Sequence, residues 1–136
     1  MNAEITIVSR QSMDGECAES VTTVQGTLST LPDGASLTYT TTEDGVADTT
    51  CIAMEATRVT IDRRGSNRSC LVLEPGQTHL CRYETPYGAF SLGVTARLVT
   101  GAITDTGGHL RLAYELDMGG GTATQHEIEI TIKEVL

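Results

Sequence analysis

A strict alternation of apolar and polar side chains is the feature that most limits how this chain can fold. In residues 127–133, three isoleucines alternate with four polar residues, and the segment from Leu110 to Met118 alternates in the same way. Successive strand residues point to opposite faces of a sheet, so these segments are predicted to be strands buried on one side only. The intervening Gly119-Gly120-Gly121 segment predicts a turn, and we expect the two strands to pair as a hairpin.

Weaker alternation recurs along the rest of the chain. It places Cys70 and Val72 on one face of a short strand, and it predicts one long strand in which Phe90 and Leu98 share a face. The 22 threonines also favour strands, because β-branched side chains fit a pleated surface. Turn-forming pairs separate the segments: Asp14-Gly15, Asp33-Gly34, Asp44-Gly45, Gly65-Ser66, Pro75-Gly76 and Gly107-Gly108.

These patterns predict an all-β fold, with residues 1–136 forming a single domain. Consecutive hairpins favour an up-and-down meander, and a meander of many twisted strands closes on itself to remove its edges. The expected architecture is therefore a closed antiparallel up-and-down barrel of about eight to ten strands.

Charge and cysteine content narrow the possible partners. The chain carries 18 acidic and 9 basic residues, a net charge of −9, which argues against nucleic acid and anionic membranes as partners. The amino terminus lacks a basic segment followed by an apolar run, and no apolar stretch approaches the roughly 20 residues of a membrane span. We therefore expect a cytoplasmic protein whose cysteines (Cys17, Cys51, Cys70 and Cys81) are free thiols.

Four segments occur in an order that is found in a known family. They are residues 58–65 (RVTIDRRG), 74–76 (EPG), 83–88 (YETPYG) and 108–116 (GHLRLAYEL). With these segments the chain resembles the YwiB-like family of small bacterial proteins. The resemblance extends over roughly residues 5 to 134. The resemblance implies a calycin-like (lipocalin-like) β-barrel and a cytoplasmic setting, and it implies no established activity. One departure is Leu73, where the family more often has an aromatic residue.

Arg63 is the first candidate for a functional role. In the strand register it continues the inward face of Val59 and Ile61, where a charged group is costly unless it is paired. It could pair with a carboxylate such as Glu84, or it could hold an anionic ligand with its two-pronged guanidinium. Alternatively, the strand ends before Arg63 and the side chain reaches solvent.

The segment Thr85-Pro86-Tyr87-Gly88 allows two interpretations. Tyr83, Thr85 and Tyr87 alternate, so they could line a hydroxyl-rich barrel mouth that orients a ligand. The favoured interpretation is a bent corner at Pro86, whose tyrosines pack and hydrogen-bond to the backbone.

The remaining polar residues form no catalytic or metal-binding pattern. His79 and Cys81 are expected on an outward face, and the three histidines lack the spacing of metal ligands. The paired carboxylates at Glu115 and Asp117, and at Glu127 and Glu129, fit a solvated outer surface. We therefore expect no enzyme activity and no cofactor.

The sequence leads to two hypotheses for function. The first is a cytoplasmic barrel that binds a small, anionic and partly apolar molecule inside the barrel. The alternative is a packed barrel that serves as a structural or protein-interaction module, as a homodimer. For the first hypothesis, the predicted ligand-binding residues are Arg63, Tyr83, Thr85, Tyr87, Arg97 and Tyr114.

Overall fold

Strands account for most of the chain. The computed structural model describes residues 1–32, 34–43, 45–55, 57–117 and 123–135. The strands are β1 (Asn2–Met13), β2 (Glu16–Leu31), β3 (Gly34–Glu43), β4 (Val46–Glu55), β5 (Arg58–Arg64), β6 (Arg68–Leu73), β7 (Thr78–Thr85), β8 (Gly88–Thr104), β9 (Gly107–Asp117) and β10 (Ala123–Glu134). The described ranges contain no helix, and so none with the length and apolar character that a bilayer-spanning segment requires.

The ten strands form a closed ring in which every neighbouring pair is antiparallel. Each strand pairs with the one before and after it in the chain, and β1 pairs with β10 to close the ring. This confirms the predicted closed up-and-down barrel, at the upper end of the expected number of strands. Closure satisfies the backbone groups that an open meander would leave exposed at its two edges.

The hairpin predicted between the last two strands is also confirmed. Leu112 lies opposite Ile128 and Leu110 opposite Ile130, so the two alternating segments present their apolar residues to the same side. The glycine run and Met118 lie outside the described residues. The turn predicted at Asp14-Gly15 connects β1 and β2, with φ of 52° and 83°. Asp33 and Asp44, from two other predicted turns, lie outside the described residues.

Aliphatic side chains from strands all around the ring fill the interior of the barrel toward one of its two ends. Several of them are less than 2% exposed, and they come from strands on opposite sides of the ring: Ile5, Leu37, Val59, Leu73, Leu110 and Ile130. Each of these residues lies on the inward face of its strand, so the two-residue period generates the core directly.

The orientation of two strands is set by features that the alternation alone does not show. In β6 the inward residues are Leu71 and Leu73, whereas Cys70 points outward opposite Asp62. The tight β5–β6 hairpin places Leu71 opposite Ile61, and directly opposed residues of an antiparallel pair share a face. Cys70 and Val72 therefore share a face, as predicted, and it is the outer face of the barrel.

In β8 an irregularity between Ala96 and Leu98 breaks the alternation. Ala96 lies opposite Tyr114 and Leu98 opposite Ala113, so Arg97 is an extra residue on β8. A bulge of this kind reverses the faces that follow it. Leu98 is 38% exposed as a result, and the predicted shared face from Phe90 through Leu98 ends at Ala96.

Candidate functional site

The inward face of the barrel changes from aliphatic to polar at one level along the barrel axis. On β5 the change occurs between Ile61 and Arg63, and on β4 between Ile52 and Thr50. β3 and β6 change at the same level, as their pairing with β4 and β5 shows, and β1 changes from Ile7 to Ser9. The barrel therefore has an apolar floor and a polar upper layer at one end, which we call the mouth.

The mouth encloses a cavity of about 370 Å³. Eight of its twelve lining residues carry hydroxyl groups, and the apolar floor contributes only Ile7. A cavity of this size is at the lower end of the range for small-molecule sites. Its lining residues are Ile7, Ser9, Ser20, Thr22, Tyr39, Thr41, Asp48, Thr50, Arg63, Asn67, Ser69 and Tyr83.

Arg63 supplies the positive charge of the mouth. It lies opposite Thr50 on one side and Ser69 on the other, and both of these residues line the cavity. It has no ion pair with any residue that the structure describes. Glu84, the partner considered from the sequence, pairs instead with Arg82 at 2.9 Å. β5 continues past Arg63, which follows the inward face of the strand and lines the cavity, and at this end of the barrel the residue is also exposed to solvent, as the alternative interpretation expected.

Two buried tyrosines lie within electrostatic reach of Arg63. Burial raises the pKa of the Tyr39 phenol, while the charge of Arg63 and a hydrogen bond with Thr50 act in the opposite direction. Burial likewise raises the pKa of the Tyr114 phenol, and Arg63 again opposes the increase. Both phenols are therefore neutral hydrogen-bonding groups at ordinary pH. Tyr114 belongs to the core below Arg63 and stacks on His126 at a centroid distance of 5.1 Å.

A carboxylate and an aromatic pair shape the rim of the mouth. Asp48 accepts a hydrogen bond from the backbone N–H of Ser66 at 3.3 Å, which connects the β5–β6 hairpin to the start of β4. On the opposite side of that hairpin, Tyr83 stacks on Phe90 with ring centroids 5.4 Å apart. Phe90 is 51% exposed, so part of this aromatic face is open to solvent.

Thr85 and Tyr87 do not line the cavity. The Thr85 hydroxyl donates to the carbonyl oxygen of Gly88 at 3.0 Å and accepts from the N–H of Tyr87 at 3.1 Å. Tyr87 is 99% exposed at the turn between β7 and β8. The favoured interpretation as a bent corner is therefore correct for the turn, although Tyr87 projects into solvent rather than packing.

Arg97 also lies away from the mouth. As the extra residue of the β8 bulge it is on the outer surface, where it contacts Glu115 at 2.7 Å and Gln125 at 3.3 Å. It borders a separate outer groove of about 280 Å³, which also contacts Tyr114. The prediction that Arg97 lines the site was therefore wrong, and the ordinary alternation of β8 already places Arg97 on the face opposite the inward Val94 and Ala96.

The other candidate groups form no reactive cluster. Cys81 faces the core and is 2% exposed, so its predicted outward orientation was wrong. His79 contacts Glu74 at 3.0 Å, and the Cys81 thiol donates to the carbonyl of Arg82 at 3.8 Å. The carboxylates of Glu115, Glu127 and Glu129 form ion pairs on the outer surface. Within the described ranges, no three acidic, histidine or cysteine side chains converge as metal ligands.

Most of the cavity lining was not predicted from the sequence. Arg63 and Tyr83 are at the mouth and Tyr114 lies beneath it, but the serines, threonines, Tyr39, Asp48 and Asn67 were missed. A signal existed in the inward positions of each strand, which turn from aliphatic to hydroxyl-bearing at one end. That signal becomes readable only when the registers of neighbouring strands are known.

Comparison with known proteins agrees with this architecture. A family model described as a domain of unknown function (DUF1934) matches residues 5–130. The crystal structure of the ywiB protein from Bacillus subtilis superposes with a TM-score of 0.90 at 16% sequence identity, covering 99% of this chain and 92% of that one. No curated protein sequence matches the chain. The chain therefore belongs to the DUF1934 family, the YwiB-like family that its sequence resembles.

Proposed function

We propose that the protein is a cytoplasmic binding protein for a small, hydroxylated and anionic molecule, which it holds in the barrel mouth without transforming it. The observation that carries the proposal is Arg63, an inward-facing cation in a cavity lined mainly by hydroxyl groups. A guanidinium without an ion pair in the described structure offers a two-pronged donor to a carboxylate or phosphate.

The lining favours a more polar ligand than the sequence suggested. Each hydroxyl both donates and accepts hydrogen bonds, which suits a partner that carries several hydroxyl groups itself. The apolar floor reaches the cavity only at Ile7, so a fatty chain would find little apolar surface there. The proposed ligand is therefore a compact polar acid rather than a lipid.

The proposal is tested by ligand-dependent melting of the purified protein. Hydroxylated organic acids and phosphates are screened, and a ligand at a hundred times its Kd stabilises the fold by about 2.7 kcal/mol. That corresponds to a rise in Tm of roughly 8 °C for a domain of this size. Arg63→Gln should abolish the rise, because the anion loses its charged partner, and Arg63→Lys should retain part of it.

Arg111→Gln is the matched control. It removes the same charge from the outer face of β9, where Arg111 pairs with Glu129 at 3.5 Å. This variant should show the full ligand-induced rise. A panel that gives no shift with the wild-type protein, or a shift that Arg63→Gln leaves intact, would contradict the proposal.

The homodimer alternative stays a prediction. Leu80 is 82% and Tyr87 99% exposed on the β7–β8 hairpin. Six residues lie between them, five of them in β7, which separates the two side chains by roughly 20 Å, so they do not form one apolar patch. Light scattering during size-exclusion chromatography tests the alternative directly.

A further inference from the structure

A second, outer groove is continuous with the mouth. It has a volume of about 320 Å³ and lies on the outside of the barrel, where β5 and β7 end and β6 begins. Arg63 lines both the cavity and this groove, so its side chain lies on the rim that separates them. The charged residues around the groove are Asp62, Arg63, Arg64, Arg68, Arg82 and Glu84.

The charges in the groove do not balance. Arg64 is within 3.4 Å of Asp62, and Arg82 is within 2.9 Å of Glu84, so each carboxylate has one arginine partner. Arg63 and Arg68 form no ion pair with any side chain in the described ranges. The groove therefore has an excess of two positive charges, in a chain whose overall net charge is −9.

The two excess arginines belong to neighbouring strand ends. Arg63 lies opposite Ser69, and Arg68 is the residue before Ser69 on β6. Because successive residues of a strand point to opposite faces, Arg63 faces the cavity with Ser69, whereas Arg68 lies on the outer face, opposite Glu84. Both side chains nevertheless line the groove, with Arg63 at its rim with the hydroxyl-lined cavity and Arg68 on its outer side.

Resting on the proposed function, we propose that the ligand is the phosphate monoester of a polyhydroxyl compound. The phosphate lies on the rim between Arg63 and Arg68, and the hydroxylated part occupies the mouth. A carboxylate has one charge, which a single guanidinium can satisfy with two parallel hydrogen bonds. A phosphate monoester carries about −1.5 to −2 charges and three acceptor oxygens, which matches two guanidinium groups.

The mouth fits the other half of such a ligand. Ser9, Ser20, Thr22 and Thr41 present hydroxyls toward the cavity, and Tyr83 with Phe90 offers an aromatic face beside the rim. Hydroxyl groups that both donate and accept can pair with each hydroxyl of a sugar-like chain. One end of the barrel therefore recognises both a polyol and its phosphate.

The test compares four probes by isothermal titration: ribose 5-phosphate, ribose, gluconate and inorganic phosphate. Ribose 5-phosphate should bind at least about tenfold tighter than gluconate, because it engages both arginines. Arg68→Gln should weaken ribose 5-phosphate roughly threefold to tenfold and leave gluconate unchanged, since Arg68 is exposed and partly screened. Arg63→Gln should weaken both probes, and Arg111→Gln neither.

A gain-of-function variant tests the same charge balance in the opposite direction. Glu84→Gln removes the carboxylate that occupies Arg82, so a third guanidinium becomes available in the groove. We expect ribose 5-phosphate to bind roughly twofold to fivefold tighter to this variant, with gluconate affected less. Melting of each variant without ligand confirms that it is folded.

The outcomes separate this proposal from the one on which it rests. Equal affinity for gluconate and ribose 5-phosphate, with both lost in Arg63→Gln and neither altered in Arg68→Gln, would overturn the phosphate assignment and keep the binding function. Equal or weaker binding of ribose 5-phosphate by Glu84→Gln would also count against the phosphate assignment. Binding of none of the four probes would overturn both proposals.

Discussion

His126 is a histidine whose pKa is changed by its surroundings inside the barrel. Its ring stacks on Tyr114 with an interplanar angle of 6°, and its Nε2 atom lies 2.8 Å from the Thr124 hydroxyl. Thr124 is 1% exposed. Burial lowers the pKa of His126 below its ordinary value of 6.5, because a charged ring is poorly solvated there. The neutral ring instead accepts the hydroxyl proton of Thr124 or donates to its oxygen.

This environment predicts a loss of stability in mild acid. Below pH 6.5 the unfolded chain takes up a proton on His126 that the folded chain resists, so the free energy of unfolding falls until the pH reaches the lowered folded pKa. The slope should be a fraction of the ~1.4 kcal/mol per pH unit that one full proton would give, because the ring is only half-buried. Above pH 6.5 the full contribution is present.

Urea unfolding at pH 7.5, 6.5 and 5.5 measures the effect. His126→Gln should flatten the decrease in stability between pH 6.5 and 5.5, and His109→Gln, on the exposed face of β9, should leave it unchanged. All three proteins contain the same acidic residues, so the difference between the variants isolates His126. Parallel pH profiles for His126→Gln and the wild-type protein would contradict the assignment.

At the scale of single strands, β8 depends on a glycine where it crosses β9. Gly101 has a φ of 142°, which side-chain-bearing residues rarely adopt. A Cβ atom at this position would also collide with the carbonyl oxygen of His109 on β9. Both the backbone conformation and the close approach of the two strands therefore require glycine.

Gly101→Ala should lower the free energy of unfolding by about 2 kcal/mol or more, measured by urea denaturation. Gly93→Ala is the matched control on the same strand. A Cβ atom there would meet Asp117 Cβ at an ordinary contact distance of 3.6 Å. This variant should be neutral or stabilising by up to about 1 kcal/mol, because glycine in a strand costs conformational entropy. Similar losses for the two variants would contradict the role of Gly101.

Individual strands differ in how much of their orientation and pairing can be predicted from the sequence. The segments of β9 and β10 alternate so regularly that their hairpin follows from the residues alone. β6 is too short to determine its own face, and its orientation depends on the turn that joins it to β5. The bulge at Arg97 leaves no local signal, and it moves Leu98 to the outside of the barrel.

At the scale of the whole molecule, the strand pairs of the ring differ in how many residues they join. Within the described structure, β6 and β7 are joined at just two residue pairs, Arg68 with Glu84 and Ser69 with Tyr83. Beyond them the connection after β6 turns to β8, where the Gly76 N–H donates to the Ala96 carbonyl oxygen at 3.1 Å. The boundary between β6 and β7 is therefore the place where the barrel opens most easily.

Hydrogen exchange measured by mass spectrometry tests this expectation. Amides in residues 71–73 and 79–82 should exchange faster than amides in β9, β10 and β1, which pair along nearly their full lengths. Unfolding of the whole barrel should be needed to exchange the central amides of β10. Uniform protection around the ring would show that the short pairing does not weaken the boundary.

The pairing of β1 with β10 makes the first and last strands neighbours. The Val135 N–H donates to the carbonyl oxygen of Asn2 at 3.0 Å, so the two ends of the chain emerge side by side. In a closed ring every strand has two paired neighbours, so the chain could begin at another strand and still form the same barrel. A circular permutant, joined between residues 135 and 1 by a short linker and opened at the Asp14-Gly15 turn, should enclose the same mouth.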